Sequence, residues 1–276
     1  MLVTVIIPTM GRVTLERSIM SILNQTFQVS EIIIVDSSPE GIKDFEFLTS
    51  PLVRVLRKSD ADLRESLGIW SAAHNRNLGI QHARSTYIAF MDDDDEWHSN
   101  KMQVQMDAID GRLNIISSTS VEFLLPSGKA LSRPSKLFNL NSRVLECFYG
   151  KITFHRSEFY IATPTLVIPS VIAKVIPMHE ELSWYEDTWW LYQLECAGLF
   201  HEQLSQKLVT IHADPKRSIA RDSLAKHFEW AEYLETVSTK YAVNYLLGIA
   251  LRNTIWLRRF REIPKLVFRA IQVTRT

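Results

Sequence analysis

Four short apolar runs, each stopped by a turn residue or a charge, constrain the first part of this chain most. Val3 to Ile7 is apolar and mostly β-branched and stops at Pro8. Glu31 to Val35 ends on Asp36, Leu52 to Leu56 follows, and Tyr87 to Met91 runs into four consecutive aspartates, Asp92 to Asp95. The apolar runs show no strict apolar-polar alternation, so they read as strands of a parallel sheet buried on both faces. Helical spacing fills the intervals. Leu15, Ile19, Ile22 and Leu23 repeat behind Thr14, an N-cap residue type. A helix expected from Ser66 to Ala83 carries a stripe of Ala72, Arg76, Gly79, Ile80 and Ala83, and Met102, Met106 and Ile109 follow a cap at Ser99 or Asn100. Strand and helix in alternation predict an α/β fold, a mostly parallel sheet flanked by helices.

After Gly111 the rhythm changes. Leu113 to Ser117 reads as one more strand, and Val121 to Leu131 as a β-hairpin turning at "LPSGK". Phe159 to Ile168 is apolar and broken by Pro164. Asp187 to Ala197 is a helix, and from Ser223 the pattern is mainly helical. The expected organisation is a first half (1–111), a second half (112–215) and a helical, basic C-terminal segment (216–276).

Charge balance excludes one class of partner: Lys+Arg equals Asp+Glu at 31 each, so nothing points to nucleic acid. Cys147 and Cys196 are too few for a disulfide framework and read as buried thiols, and no Cys/His spacing suits zinc. The N-terminus opens directly on a strand, without a basic leader or cleavage site. The longest apolar run, Ala242 to Leu251, is about half of the ~20 residues a spanning helix needs. The expected compartment is cytoplasmic.

In an open parallel sheet, ligands bind outside the carboxyl ends of the strands. Asp36 and the tetrad Asp92 to Asp95 both fall at that edge. If the extended chain continues through the tetrad, Asp92 and Asp94 share a side, roughly 7 Å apart. Two carboxylates so placed suit a hard cation, Mn2+, Mg2+ or Ca2+ rather than zinc, and such an ion commonly keeps phosphate oxygens as further ligands. The competing reading is a solvated acidic loop ahead of the next helix. The first turn, "PTMGR", has one glycine, so neither a dinucleotide fingerprint nor a P-loop is present.

Taken together, "VTVIIPTMGR…LERSIMSILNQTF…EIIIVDSSPEG", "AAHNRNLGIQHARSTYIAFMDDDDEW" and "YEDTWWLYQLECAG" resemble the family-two glycosyltransferases of the GT-A fold. These are nucleotide-sugar enzymes of bacterial polysaccharide and glycolipid synthesis. The likeness runs from Val3 to about Gly198. It implies that Pro8, Thr9 and Arg12 lead into the nucleotide site and that Asp36 binds the base. Arg76 would contact the nucleotide end of the donor, and Asp93 would lie with the nucleotide. The D-x-D element matches Asp92, reaching ribose or metal, and Asp94, holding the ion. The "ED" pair matches Glu186, a supporting acid, and Asp187, the catalytic base. Some relatives place a histidine near metal or phosphate, where this chain has His212. Two departures stand out: Ser37 and Ser38 replace a second acid and a glycine, and Ser85 replaces a glycine before the fourth strand.

Each of these residues also has a plainer reading. Arg76 lies on the inner stripe of its helix and could serve as a structural ion pair. Asp187 opens a helix and could be its N-cap. His212, Lys216 and Arg217 could be loop residues. Of the tryptophans around the "ED" pair, Trp184 is expected to face the acceptor and Trp190 the core. Arg252 to Thr276 holds seven Lys/Arg and one Glu among large apolar residues, a pattern for peripheral membrane contact or for a helix packed on the domain.

The reaction implied is transfer of a sugar from a nucleotide diphosphosugar, UDP-linked by preference, to a hydroxyl of a saccharide or lipid-linked acceptor, with inversion. It would take place in the cytoplasm, at the inner face of the membrane. The alternatives are a nucleotidyltransferase acting on sugar phosphates and a non-catalytic module that binds saccharide or Ca2+.

Overall fold

The computed structural model describes residues 1–42, 45–57, 72–154, 158–182, 184–212 and 223–274. Within them the chain builds one curled mixed sheet flanked by helices. Strands β1 (Val3–Thr9), β2 (Glu31–Asp36), β3 (Val53–Arg57) and β4 (Tyr87–Phe90) are parallel neighbours in the order β3-β2-β1-β4. Helices α1 (Leu15–Leu23) and α2 (Ala72–His82) lie in the intervals; the part of the expected second helix before Ala72 falls outside the described residues.

The side-chain period of two explains why the strands lack polar alternation. Val5, Ile7, Ile32 and Ile34 pack into one core with α1 and with α3 (Lys101–Ile109). Ile6, Ile33 and Val35 point the other way, into a second core with α2. Both faces are therefore dry.

The second half extends the same sheet rather than starting another. β6 (Ile115–Leu124) pairs antiparallel with β8 (Val167–Pro169) and with β7 (Ala130–Arg133), the latter closing the expected hairpin. β8 pairs antiparallel with β4, which joins the halves. The two strands expected at Leu113 to Ser117 and from Val121 are one. Ser117 to Ser120, which look like a break, are buried within it, with Ser118 bonded to His201 and Ser117 to Gln105.

A long strand the sequence did not suggest, β9 (Phe200–His212), runs parallel to β6, and its end pairs with the two-residue β5 (Glu96–Trp97). Its pattern was hidden because its middle is exposed and its register slips beside Thr119 and Ser120. The boundary expected between 215 and 216 lies outside the described residues.

Shorter helices are α4 (Val144–Tyr149), α5 (Ser170–Val175) and α6 (Glu186–Cys196). The C-terminal part is helical as expected: α7 (Leu224–Val237), α8 (Thr239–Tyr245), α9 (Leu251–Trp256) and α10 (Ile263–Val273). These helices form a third core, with Trp230, Ala242, Tyr245 and Leu266 at its centre, closed by Leu182, Tyr185 and Trp189 from around the start of α6. Of the two cysteines expected to be buried, Cys147 is half-buried and Cys196 is exposed, because Cys196 ends α6 on its outer side.

Candidate active site

The strand order puts Asp36, Thr9 and the tetrad at one edge. Thr9 pairs with Asp36 across β1 and β2, and β4 lies on the other side of β1. The tetrad is not an extension of β4. It turns, with Asp95 N–H donating to Asp92 O at 3.3 Å, so the spacing expected from strand geometry does not apply. Exposure still alternates: the side chains of Asp92 and Asp94 are 33% and 30% exposed, while Asp93 and Asp95 are buried.

The buried pair is held from β1 and α1. Thr9 Oγ1 donates to Asp93 Oδ2 at 2.7 Å, and Arg12 Nη1 bridges Asp93 Oδ1 at 2.7 Å and Asp94 Oδ2 at 2.8 Å. Ser18 and Arg17 donate to the carbonyls of Asp95 and Asp94. Burial pushes the Asp93 carboxyl up, and Thr9 and Arg12 pull it back. Asp95 is pushed up to about 8, first by burial and then by the charges of Asp92 and Asp94. Pro8, in the middle of this edge, is a buried β1 residue and shapes the floor.

Arg76 connects the two halves. It is buried on the inner side of α2, as its stripe predicted. Its Nη2 lies 2.7 Å from Asp92 Oδ1 and its Nη1 3.5 Å from Glu186 Oε1. Burial alone would lower its pKa; the carboxylates around it outweigh burial and raise it. The structural ion pair, the plainer reading of Arg76, is therefore present, and it lies at the carboxyl edge of the sheet. Glu186 is pushed up by burial and by Asp187, with Arg76 opposing.

Asp187 sits one residue further along α6. Its Oδ2 accepts from Thr163 Oγ1 at 3.3 Å and its Oδ1 from Thr188 N–H at 2.7 Å. The pair is aimed by an unusual turn. Tyr185, which precedes it, has φ 63°, a left-handed conformation costly for a residue with a side chain. Its ring is sandwiched between Trp184 (5.0 Å, 25° between planes) and Trp230 of α7 (5.1 Å, 27°). The C-terminal helices therefore hold the turn that presents Glu186 and Asp187. Trp190 is fully buried against Phe90, as expected. Trp184 is half-buried and also packs on His227.

Asp36 has a different local task. It is buried, with Oδ1 accepting from Ser38 N–H (2.9 Å) and Ser38 Oγ (2.6 Å), and Oδ2 from Ile42 N–H (3.0 Å). It shapes the loop after β2, and Ser37 in that loop accepts from Asn75 of α2. His212 is beside the tetrad but paired: its backbone N–H donates to Asp95 Oδ1 and its Nε2 lies 2.7 Å from Glu96 Oε2. Lys216 and Arg217 lie outside the described residues.

Among the described residues no three His, Cys, Asp or Glu side chains converge as a ready metal cage. The donor chemistry nonetheless fits a hard divalent ion. Asp92 and Asp94 carry partly exposed carboxylate oxygens, and the acids of this corner outnumber Arg12, Arg17 and Arg76 among the described residues.

Sequence reasoning missed Arg17, Glu96 and Thr163 as parts of this corner. Glu96 adjoins the tetrad and could have been suspected. Nothing in the sequence marks Arg17 or Thr163, which long-range packing brings in.

A mixed sheet with acids and a buried arginine at the carboxyl edge, closed by an acidic helix start, is the arrangement of a GT-A-type glycosyltransferase domain. The structure of S. aureus TarS 1-349 in complex with UDP-GlcNAc superposes with a TM-score of 0.63 at 15% identity, covering 90% of this chain and 67% of that one, and shows the fold. The family model "Glycosyl transferase family 2" matches residues 4–146, more than half of the 276 residues, and the chain belongs to that family.

An uncharacterized glycosyltransferase of Rickettsia bellii is 34% identical over 131 residues, 47% of this chain and 18% of the relative. The GalNAc(5)-diNAcBac-PP-undecaprenol beta-1,3-glucosyltransferase of Campylobacter jejuni is 31% identical over 147 residues, 49% of this chain and 45% of the relative. The similarity thus spans less than half of either relative's own length.

Proposed function

We propose that the protein transfers a sugar from a nucleotide diphosphosugar, UDP-linked, to a hydroxyl of a lipid-linked saccharide, with inversion. The observation that carries this is Arg76: one buried guanidinium reaches both Asp92, in the acidic turn after β4, and Glu186, so the two groups of acids lie side by side. Family membership supports transfer. The UDP-GlcNAc bound by S. aureus TarS supports the donor, and the PP-undecaprenol substrate in the name of the C. jejuni relative supports the acceptor. With such an acceptor the protein would work at the inner face of a membrane, although no helix of the described residues is long and apolar enough to cross one.

In this reading Asp92 and Asp94 hold Mn2+ or Mg2+, which would supply charge neutralisation for the leaving diphosphate. Arg12 and Thr9 fix Asp93, and so the shape of the turn. The loop shaped by Asp36 faces the base, so that carboxylate acts by positioning Ser37 to Ile42. Asp187 takes the proton of the acceptor hydroxyl as its oxygen bonds to the anomeric carbon, and the bond from that carbon to the diphosphate breaks with its electron pair going to the diphosphate. One base opposite the leaving group means a single displacement. Thr163 holds Asp187 for that transfer, and much of the rate would come from positioning. Trp184 offers a ring edge to the acceptor sugar.

The test uses two variants. Asp94→Ala should abolish the metal-dependent rise in melting temperature caused by UDP. Asp187→Asn should keep that rise and lose transfer. Normal turnover by Asp187→Asn would overturn the base assignment. A UDP response that is the same with and without Mn2+ would overturn the metal role.

A further inference from the structure

Helix α10 has two apolar faces. Leu266, Ala270 and Val273 are buried against the C-terminal core. Val267, Phe268 and Ile271 lie on the opposite side and are exposed, Phe268 at 62%. A surface helix normally carries polar residues there. The end of α9 and the turn before α10, which both contact α10, add Trp256 (67% exposed) and Phe260 (59%). Large apolar groups collected on one surface mark a contact, whereas scattered ones need no explanation.

The surrounding charge says what kind of contact. Arg258, Arg261 and Lys265 are exposed around these side chains, and the segment's one acid, Glu262, is half-buried. A second copy docked face to face would bring like charges together. A lipid surface with anionic headgroups offers the opposite: aromatic rings sit at the headgroup level and basic side chains meet the lipid charges.

We infer that the face formed by Trp256, Phe260, Phe268 and Ile271, ringed by Arg258, Arg261 and Lys265, seats the protein on an anionic bilayer. The inference deepens the lipid-linked-acceptor reading and rests on it for its role. The inner face of α10 packs against α7 and α8, and these hold Tyr185 and Trp189 on either side of Glu186 and Asp187. A bilayer under α10 is therefore one helix layer from the catalytic pair, which suits an acceptor whose lipid stays in the membrane.

The test is vesicle flotation of the full chain, with phosphatidylcholine vesicles against vesicles containing phosphatidylglycerol. Wild type should partition at least tenfold better onto the anionic vesicles, and added salt should weaken it. Trp256→Ser/Phe268→Ser changes only exposed side chains, and circular dichroism checks its fold; it should lose at least tenfold. Arg258→Gln/Lys265→Gln should reduce partition by about thirtyfold, from roughly two surface charges. Asp187→Asn should bind vesicles like wild type, so a failure of the transfer reading and a failure of this one are distinguishable. Equal binding to both vesicle types would overturn the proposal. So would a solution dimer that Trp256→Ser/Phe268→Ser dissociates, which would show the face to be a contact between copies.

Discussion

Replacing Gly79 with alanine would test the packing that aims Arg76. Gly79 is in the middle of α2, where alanine is favoured over glycine by about 1 kcal/mol. A Cβ there would lie 2.5 Å from Ile6 Cγ2 and 3.2 Å from Ile6 Cγ1. Carbon atoms rest at about 3.5–4.0 Å, so the deficit is on the order of 1 Å. Ile6 cannot yield: its methyl is on a branched Cβ, in a fully buried strand bonded to neighbours on both sides. The helix must lift instead. Overpacking of this kind costs about 1–3 kcal/mol, which outweighs the propensity gain, so a net loss of about 1 kcal/mol is expected. Arg76 is one turn back on the same face, and a comparable lift would break its 2.7 Å bond to Asp92. The assay is urea denaturation with a donor-induced thermal shift measured in parallel. Ile6→Val keeps Cγ2 and should not rescue Gly79→Ala. In an Ile6→Ala background, the added methyl should be neutral or stabilising. Gly79→Ala at wild-type stability with full donor response would refute the close approach as what seats α2.

Other perturbations address separate links. Burial lowers His201 to about 3, and burial raises Glu195 to about 7. The unfolded chain protonates a histidine near ~6.5, so the His201 contribution is present above that pH and is lost as pH falls, at about 1.4 kcal/mol per unit. Folded Glu195 holds its proton up to about 7, so its contribution is lost as pH rises from about 4.5. In wild type the two slopes oppose each other between about 4.5 and 6.5. Asp95, pushed up to about 8, adds its own fall with rising pH in every variant, so the test is the difference from wild type. In chemical denaturation from pH 5 to 6.5, His201→Gln should lose stability with rising pH more steeply than wild type and Glu195→Gln less steeply; slopes equal to that of wild type would contradict both assignments. Arg76→Met leaves Asp92 and Glu186 without their shared cation; both keep solvent contact, so the loss should be about 1–3 kcal/mol, read by denaturant midpoint. Tyr185→Gly relieves the left-handed backbone but removes the ring between Trp184 and Trp230; donor binding should persist while the transfer rate drops at least tenfold, and unchanged turnover would show the sandwich is not what aims Asp187.

What the sequence made legible was whatever a local pattern encodes. β1, β2 and β4 are visible because burial on both faces demands unbroken apolar runs, and the inward turn of Arg76 follows from helical spacing. The hydroxyl run of Ser117 to Ser120 hid the continuity of β6, because those polar groups are satisfied by distant partners such as His201. The same limit applied at the site. The sequence put Asp36 and the tetrad at one edge, but not that Asp36 spends both oxygens on its own loop, nor that the tetrad turns.

That division bears on how the site is built. Arg12 and Arg17, from the stretch that leaves β1 and enters α1, and Arg76, from α2, converge on acids from the turn after β4 and from α6. Alone, clustered carboxylates repel one another and drift toward protonation; Asp95 is pushed that way first by burial and then by the charges of Asp92 and Asp94. Fixed guanidiniums hold Asp92 and Asp94 in place while leaving each partly exposed. Among the described residues the acids of this corner are held by guanidiniums that they outnumber. Metal should therefore strengthen nucleotide binding far more than it strengthens the fold. A melting temperature that rises as much with Mn2+ alone as with Mn2+ and UDP together would contradict that order of events.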